Sequence, residues 1–395
     1  MLHLIALSFD HRVGNQLDRT YPPFPDEPYV ADWKQGLPFI AIPDKADKAH
    51  TSVIQFTLPE PSRPCGCVFG IAAYRGIDTT DLQNKEKSFF RNQVQKALCV
   101  ISSVPLFGEL EQPLKDALFK HFDSLVENLD SIFNQLNELC KNSIPFSGIA
   151  YMSLFQSLRQ DVLLIIRAVL LQKRILFFAD NSEIVSKMIV AIASLLPGYL
   201  YDSDFPFTFL EKGSGRYTFA PYVPLQYSET LNHSGAKSSL MGTCSELFME
   251  EKVVKYDILV NCRTYPATIT GETSDVKLQE NEEKWMKGVL SYLKTNWNKD
   301  ESLPFIREKF TIWMNSLITT ILRVRHITTV PYYIRVYLDW DRANVFGEHF
   351  LKKLITFPDI DKIIKENDVK KFEPNDEVLM KKKPTALEQF QALFK

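Results

Sequence analysis

The residues whose types could do chemistry are few and far apart along the chain. Cys65-Gly66-Cys67 is the nearest approach to a metal site, but no second Cys or His pair stands at metal-ligand spacing. Gly235-Ala236-Lys237-Ser238 lacks the Gly-Lys pair and the preceding strand of a phosphate loop. Gly213-Ser214-Gly215 fits neither a nucleotide fingerprint nor a nucleophile elbow. The residues therefore predict no cofactor and no bond-making chemistry, and they favour a binding or regulatory module.

Composition excludes several other classes of protein. A chain of 395 residues predicts about two or three domains, and 45% hydrophobic residues indicate a globular protein. The net charge of −2 gives no basic domain, so we expect no nucleic-acid partner. The six cysteines are scattered, and no secretory signal precedes the first strand, so we expect a cytoplasmic protein with free thiols.

The elements that position everything else centre on residues 161–198. Apolar residues at helical spacing predict a buried helix up to about residue 171, followed by a short strand at Ile175–Ala179. Asp180-Asn181-Ser182 then predicts the start of a second helix, which Pro197-Gly198 ends. Arg167 and Lys173 interrupt the apolar run, which argues against a membrane-spanning helix of about 20 residues. This pattern predicts the core of an α/β layer.

The preceding part of the chain has a different pattern. Short apolar runs over 1–108, including Leu37–Ile42 and Val53–Leu58, predict an antiparallel sheet. Residues 110–140 have helical periodicity and predict one or two amphipathic helices packed on that sheet. Pro145 and Gly148 mark the best linker to a second lobe.

Several motifs in a fixed order carry a family resemblance. They are FDHRVGNQLDRTYPP (9–23), LPFIAIPD (37–44), VFGIAAYRGI (68–77), VQKALCVISSVPLFG (94–108), VLLIIRAVLLQKRILFF (162–178), SLLPGYL (194–200), TFAPYVPLQ (218–226), MGTCSELF (241–248), REKFTIWMNSLITTILRV (307–324) and VFGEHFLKKL (345–354). Over roughly residues 1–355 the chain resembles the late-secretory-pathway Avl group of DENN-like proteins. Each motif alone is weak, and their order and spacing make the match specific.

The resemblance implies a fold of mixed α/β (α+β) class. It implies a bilobal DENN module with an N-terminal longin-like antiparallel sheet with helices and a C-terminal three-layer α/β lobe followed by helices. The corresponding domains are a uDENN lobe at 1–143, a cDENN lobe at 151–265, a helical dDENN-like part at 282–356 and a tail at 357–395. A long acidic insertion that family members often carry after the SLLPG-like position is absent, since only 201–216 stand there.

The resemblance also implies a function in vesicle traffic. DENN modules generally promote GDP/GTP exchange on a Rab-family small GTPase by clamping its switch regions between two lobes, which needs no catalytic side chain. Such a protein would be a guanine-nucleotide exchange factor at most, acting between Golgi and cell surface. It would lie peripherally on Golgi, secretory vesicle or endosomal membranes. The alternative is a non-exchanging scaffold that binds a Rab or a tether and recruits it to membranes.

Four residues are candidates for the partner interface. Asp10 and Arg12 lie in a polar turn within a family motif, and Tyr222 and Thr243 stand where we expect exposed loops of the second lobe. The alternative roles are a hairpin turn for the first pair and core or turn filling for the second. A second surface is the tail, where Lys381–Lys383 and an apolar stripe could contact anionic lipid. The simpler interpretation is that the lysines are a solvated charge run and that the tail packs back on the body.

Overall fold

The fold described here comes from a computed structural model of the chain. It describes residues 1–44, 51–62, 67–78, 93–141, 143, 146–170, 173–195, 217–228, 238–250, 252–274, 276–278, 280–296, 305–306, 308–310 and 313. The described part contains two five-stranded sheets with helices, which confirms the α+β class expected from the sequence.

The first sheet is antiparallel, as predicted, and has the strand order β2-β1-β5-β4-β3. Its strands are β1 His3–Asp10, β2 Gly14–Tyr21, β3 Thr51–Pro59, β4 Cys67–Asp78 and β5 Gln93–Ser102. Leu4 through Leu7 are all fully buried, on both sides of the strand. A strand reads as a continuous apolar run when both faces of its sheet are covered.

Helices cover both faces of this sheet. They are α1 Tyr29–Ala41, α2 Phe107–Lys120 and α3 Leu129–Cys140. The ring of Phe107 in α2 meets Phe69 edge-on with centroids 6.1 Å apart. On the opposite face, the indole N–H of Trp33 in α1 donates to the carbonyl oxygen of Pro59 at 2.9 Å. Each helix thus inserts an aromatic side chain that fixes its position on the sheet.

One predicted strand is wrong. Leu37–Ile42 was expected to be extended, but Leu37 to Ala41 form the last part of α1, and Ile42 follows the helix. Val30, Trp33, Leu37 and Ile40 are buried at helical spacing. A six-residue apolar run cannot by itself distinguish a strand from the buried side of a helix, and here the residues before it decide.

The second sheet is parallel across β7, β8, β6 and β9, with the overall order β10-β9-β6-β8-β7. Its strands are β6 Arg174–Phe178, β7 Tyr217–Ala220, β8 Ser238–Thr243, β9 Ile258–Asn261 and β10 Thr268–Gly271. The central β6 and the following helix α6, Ser182–Leu195, confirm the strand and helix predicted within 161–198. Strand β10 is short, and most of its residues are exposed.

Gly242 in β8 permits close packing on α6. A side-chain carbon at this position would lie 2.9 Å from Val185 Cβ and from Ile189 Cδ1, and 2.5 Å from the carbonyl oxygen of Pro221. Because such distances are shorter than real Cβ atoms tolerate, only glycine lets the helix and the strand approach this closely.

Helix α6 also covers the outer edge of β3, the last strand of the first sheet. The backbone N–H of Val53 donates to Glu183 Oε2 at 2.9 Å, and that of Gln55 donates to Ser186 Oγ at 3.3 Å. Helix side chains therefore satisfy donors that would otherwise be open to another strand. Asn181 caps the same helix, since its Oδ1 accepts the backbone N–H of Glu183 at 2.8 Å.

An ion-pair network joins α6 to α2. Lys187 Nζ lies 2.7 Å from both Glu111 Oε1 and Glu183 Oε1, and Lys115 Nζ lies 2.9 Å from Glu111 Oε1. Burial raises the pKa of Glu111, but hydrogen bonds and charges of the two lysines outweigh burial and hold the pKa below its ordinary value. The network thus tethers the helix that covers β3.

The chain divides into two compact units. The first comprises Met1–Ala150, Arg174–Ala191 and Tyr201–Ile269, and the second Tyr151–Lys173, Ile192–Leu200 and Thr270–Lys395. The domain boundaries expected at 143, 151, 265 and 282 stay a prediction.

The second unit includes α4 Tyr151–Leu158, α5 Asp161–Leu170 and α7 Glu280–Thr295. Arg167 of α5 and Glu282 of α7 form a buried ion pair at 3.1 Å. Arg167 Nη1 also donates to the carbonyl oxygen of Lys277 at 2.5 Å. A buried guanidinium needs both a charge partner and hydrogen-bond acceptors, and this site supplies them.

Several sequence features lie outside the described residues. They are Cys65 and Gly66, Gly213-Ser214-Gly215, residues 235–237, most of the helical part at 282–356, Lys381–Lys383 and the whole tail. Among the helices that the structure does describe, none has the length and apolar character required to cross a bilayer.

Candidate functional site at the carboxyl edge of the parallel sheet

Four parallel strands end at one edge of the second sheet. Their last residues are Phe178, Ala220, Thr243 and Asn261. In open parallel sheets, the segments that follow the carboxyl ends of the strands form the usual position for binding sites. Side chains meet at this edge in two layers, one buried and one at the surface.

Tyr222 and Thr243, two of the predicted interface residues, meet in the buried layer. Both were expected on exposed loops, yet Tyr222 is 1% exposed and Thr243 is fully buried. Thr243 Oγ1 donates to the carbonyl oxygen of Val223 at 3.3 Å and accepts the backbone N–H of Ser245 at 3.2 Å. The expected exposure is therefore wrong for both residues, and these contacts explain why: each side chain joins neighbouring loops. The interface role of the set stays a prediction.

Asp44 connects this buried layer to the segment that follows α1. Its backbone N–H donates to the hydroxyl of Tyr222 at 2.7 Å, and its Oδ2 accepts the backbone N–H of Leu225 at 2.8 Å. The thiol of Cys244 lies 3.5 Å from the carbonyl oxygen of Asp44. Burial, with the nearby Cys244 and Asp44, raises the pKa of Tyr222 well above its ordinary value, so this phenol stays protonated at neutral pH.

At the surface, Arg263 ties together the segments that follow β6, β8 and β9. Its Nε and Nη2 donate to Asp180 Oδ1 at 2.8 and 2.6 Å, and Nη2 also pairs with Glu246 Oε1. Its guanidinium carbon lies 4.6 Å from the centroid of the Phe178 ring. Its hydrogen bonds to the two carboxylates raise the pKa of Arg263 above its ordinary value. The guanidinium is thus held in one orientation by two carboxylates and an aromatic face.

The predicted residues Asp10 and Arg12 lie elsewhere, in the hairpin that joins β1 to β2. Asp10 Oδ1 accepts the backbone N–H groups of Arg12 at 2.7 Å and Val13 at 3.0 Å, and these bonds lower the pKa of its carboxyl group. Gly14 closes the turn with φ at +88°, a conformation that favours glycine. Asp10 therefore shapes the turn, while Arg12 and Val13 project into solvent, Val13 with 74% exposure.

The described residues contain no group of metal ligands, and the cysteine at this edge is not a reactive thiol. No three His, Cys, Asp or Glu side chains among these residues are grouped as metal ligands. Cys262 follows β9 at the carboxyl edge, but burial raises the pKa of its thiol to about 12, which leaves almost no thiolate at neutral pH. What this edge does present is a fixed ionic cluster with exposed neighbours.

Sequence reasoning missed Asp44, Asp180, Glu246 and Arg263. A signal existed for Asp180 and Arg263, because each follows a short apolar run, and polar residues after parallel strands meet at one edge. Glu246 lies within the apolar stretch 240–248, where the strand pattern gives no such signal. Asp44 ends the LPFIAIPD motif, and nothing in its spacing indicated a contact with residue 222.

Comparison with known proteins shows which proteins this chain resembles. A family model described as "Transport protein Avl9" matches residues 1–205 and 201–321. A protein named "Late secretory pathway protein avl9" from Schizosaccharomyces pombe is 25% identical over 365 residues, covering 81% of this chain and 76% of that protein.

The protein named "Late secretory pathway protein AVL9" from Saccharomyces cerevisiae is 24% identical over 395 residues, covering 80% of this chain. The match spans 51% of that relative, about half its length. Because the family model extends over most of the chain, from the first sheet through α7, the chain belongs to the Avl9 family of transport proteins.

Proposed function

We propose that this chain regulates a Rab-family small GTPase in late secretory transport and promotes its exchange of GDP for GTP. The observation that carries the proposal is the order of the two sheets. An antiparallel sheet with helices precedes a parallel α/β sheet, over the residues that match the family, as the DENN resemblance implies. The names of the two yeast relatives support a role in the late secretory pathway.

The mechanism is differential binding. A protein that binds the nucleotide-free GTPase more tightly than the GDP-bound form raises the rate of GDP release, without any proton transfer or covalent step. This mechanism needs an interaction surface rather than catalytic side chains. The β1–β2 hairpin is one such surface, since Arg12 and Val13 are exposed within a family motif. The proposal includes a cytoplasmic position, peripheral on Golgi, secretory vesicle or endosomal membranes.

The test is release of a fluorescent GDP analogue from a panel of purified secretory and endosomal Rab GTPases, with increasing concentrations of the full chain. We expect faster release from one or two GTPases, in proportion to the concentration of the chain. Binding to a GTP-loaded GTPase without faster release would instead support the scaffold alternative. If no GTPase of the panel binds the chain or releases GDP faster in its presence, the proposal is overturned.

The hairpin is tested in the same assay with the double variant Arg12→Ala, Val13→Ser. The matched control is Lys141→Ala, Leu139→Ser, which removes one exposed cation and one exposed apolar side chain at the end of α3. We expect the hairpin variant to slow release while the control leaves it unchanged. Equal rates for both variants would exclude the hairpin from the interface.

A further inference from the structure

Exposed apolar side chains stand close in sequence to Arg263 and to its two carboxylate partners. Six large apolar side chains are exposed among the described residues, and three of them lie in the segments that Arg263 joins: Ile184 at 43%, Leu247 at 47% and Tyr265 at 68% exposure. Single exposed apolar residues are ordinary, but three in the segments joined by one ion-paired arginine indicate an interaction surface. We call the surface formed by Ile184, Leu247 and Tyr265 together with Arg263, Asp180 and Glu246 the edge patch.

The composition of the edge patch is that of a binding hot spot. Tyr and Arg are the side chains most enriched among residues that dominate binding energy, and aliphatic residues around them exclude water. Arg263 is already oriented by Asp180, Glu246 and the ring of Phe178. A partner therefore meets a side chain that has lost most of its rotamer freedom, which reduces the entropy cost of association.

Charge defines the kind of partner. Two carboxylates, Asp180 and Glu246, pair with the guanidinium of Arg263. Asp180 and Glu246 remain 64% and 59% exposed while they bind Arg263. A complementary surface has apolar side chains at its centre and lysine or arginine at its border.

The edge patch lies at the same end of the first sheet as the β1–β2 hairpin. The register across β1, β5, β4 and β3 aligns Ser8, near the hairpin, with Thr51 at the start of β3. The next residue, Ser52, donates from Oγ to Asn181 Oδ1 at 3.4 Å, immediately beside Asp180. All of these residues belong to the first compact unit, so both surfaces lie on the same unit.

We propose that the edge patch docks the GTPase and helps to select which GTPase is bound. This inference rests on the proposed function and identifies the partner's contact surface. The selected GTPase presents exposed apolar side chains bordered by lysine or arginine. GTPases without this border bind the hairpin side alone, and bind it weakly.

The first test removes the apolar anchors with the double variant Leu247→Ser, Tyr265→Ser. The matched control is Leu139→Ser, which removes an exposed leucine at 60% exposure from α3. Affinity for the GTPase is measured by titration of the nucleotide-free form. We expect the double variant to bind about tenfold more weakly or worse, and the control to stay within about twofold of wild type.

The second test neutralises the border with Asp180→Asn, Glu246→Gln. The control neutralises two exposed carboxylates elsewhere, with Asp116→Asn, Glu138→Gln. We expect the edge variant to bind more weakly and to lose part of the decrease in affinity with rising salt, because fewer charges are left to be screened. The control should keep the wild-type salt dependence.

The outcomes separate this inference from the proposed function. If the wild-type chain binds a GTPase and both edge variants bind it like their controls, the edge patch is not the docking surface and the GTPase function still stands. If the wild-type chain binds no GTPase of the panel, both proposals fail. Circular dichroism of each variant verifies that a loss of binding does not reflect unfolding, and the charge variant serves where the apolar variant fails to fold.

Discussion

Replacing Tyr222 with phenylalanine separates a structural role for this residue from a role in binding. The hydroxyl of Tyr222 accepts the backbone N–H of Asp44 at 2.7 Å inside the protein, and the ring is 1% exposed. Tyr222→Phe keeps the ring, so it creates no cavity of the kind that costs about 3–5 kcal/mol when an aromatic residue becomes alanine. It removes one acceptor from a partly buried donor, which costs about 1–3 kcal/mol of unfolding free energy.

The change is measured by urea denaturation and by thermal melting. At about 2–4 °C per kcal/mol for a unit of this size, the melting temperature should fall by about 2–12 °C. Tyr265→Phe is the matched control: because Tyr265 is 68% exposed, stability should stay unchanged.

Two results would refute this reasoning. Equal stability of Tyr222→Phe and wild type would show that the contact with Asp44 does not hold the carboxyl edge together. Loss of GTPase binding at unchanged stability would show that Tyr222 contacts a partner directly, as the sequence first suggested.

Three further predictions concern the packing of α6. Lys187→Met should lower the free energy of unfolding by about 1.5–3 kcal/mol, because Lys187 pairs with two carboxylates. Lys115→Met, which removes a single pair, should lower the free energy of unfolding by about 0–1 kcal/mol. Urea denaturation of both variants measures the difference. The pKa of Glu111 is lowered in the folded protein, so its contribution to folding stability is present above pH 4.5, its ordinary pKa, and is lost as the pH falls through the folded pKa. Glu111→Gln should therefore make the free energy of unfolding depend less on pH in the acid range. Gly242→Ala would place a carbon 2.5 Å from the carbonyl oxygen of Pro221, and thermal melting should show about 1–3 kcal/mol of destabilisation; an unchanged melting temperature would contradict the close packing.

The sequence predicted best where its hydrophobic pattern is long. Residues 161–198 give a helix, a strand and a helix at Asp161–Leu170, Arg174–Phe178 and Ser182–Leu195. Periodicity over many residues averages out local exceptions. Asn181 marks the start of the second helix through a hydrogen bond to Glu183, only two residues along the chain. By contrast, Leu37–Ile42 is too short to show its own period.

The candidate site was less predictable, because tertiary contacts build it. Arg263 and Asp180 are separated by 83 residues, and no local pattern announces that they pair. Tyr222 stands between two prolines, which suggested an exposed loop, but its contact with Asp44 spans 178 residues and buries it. The strand pattern predicts that loops meet at a carboxyl edge, but it does not predict which of their side chains are buried.

The covering of β3 by α6 has a consequence for synthesis of the chain. The two residues that meet there, Val53 and Glu183, are 130 positions apart. At about 5–20 residues per second, roughly 7–26 seconds pass between the appearance of the strand and that of its cover. During this interval the nascent first sheet has an open edge that can pair with other extended chains, so a chaperone that shields unpaired strands should bind chains truncated before Ser182 more strongly than chains extending beyond α6.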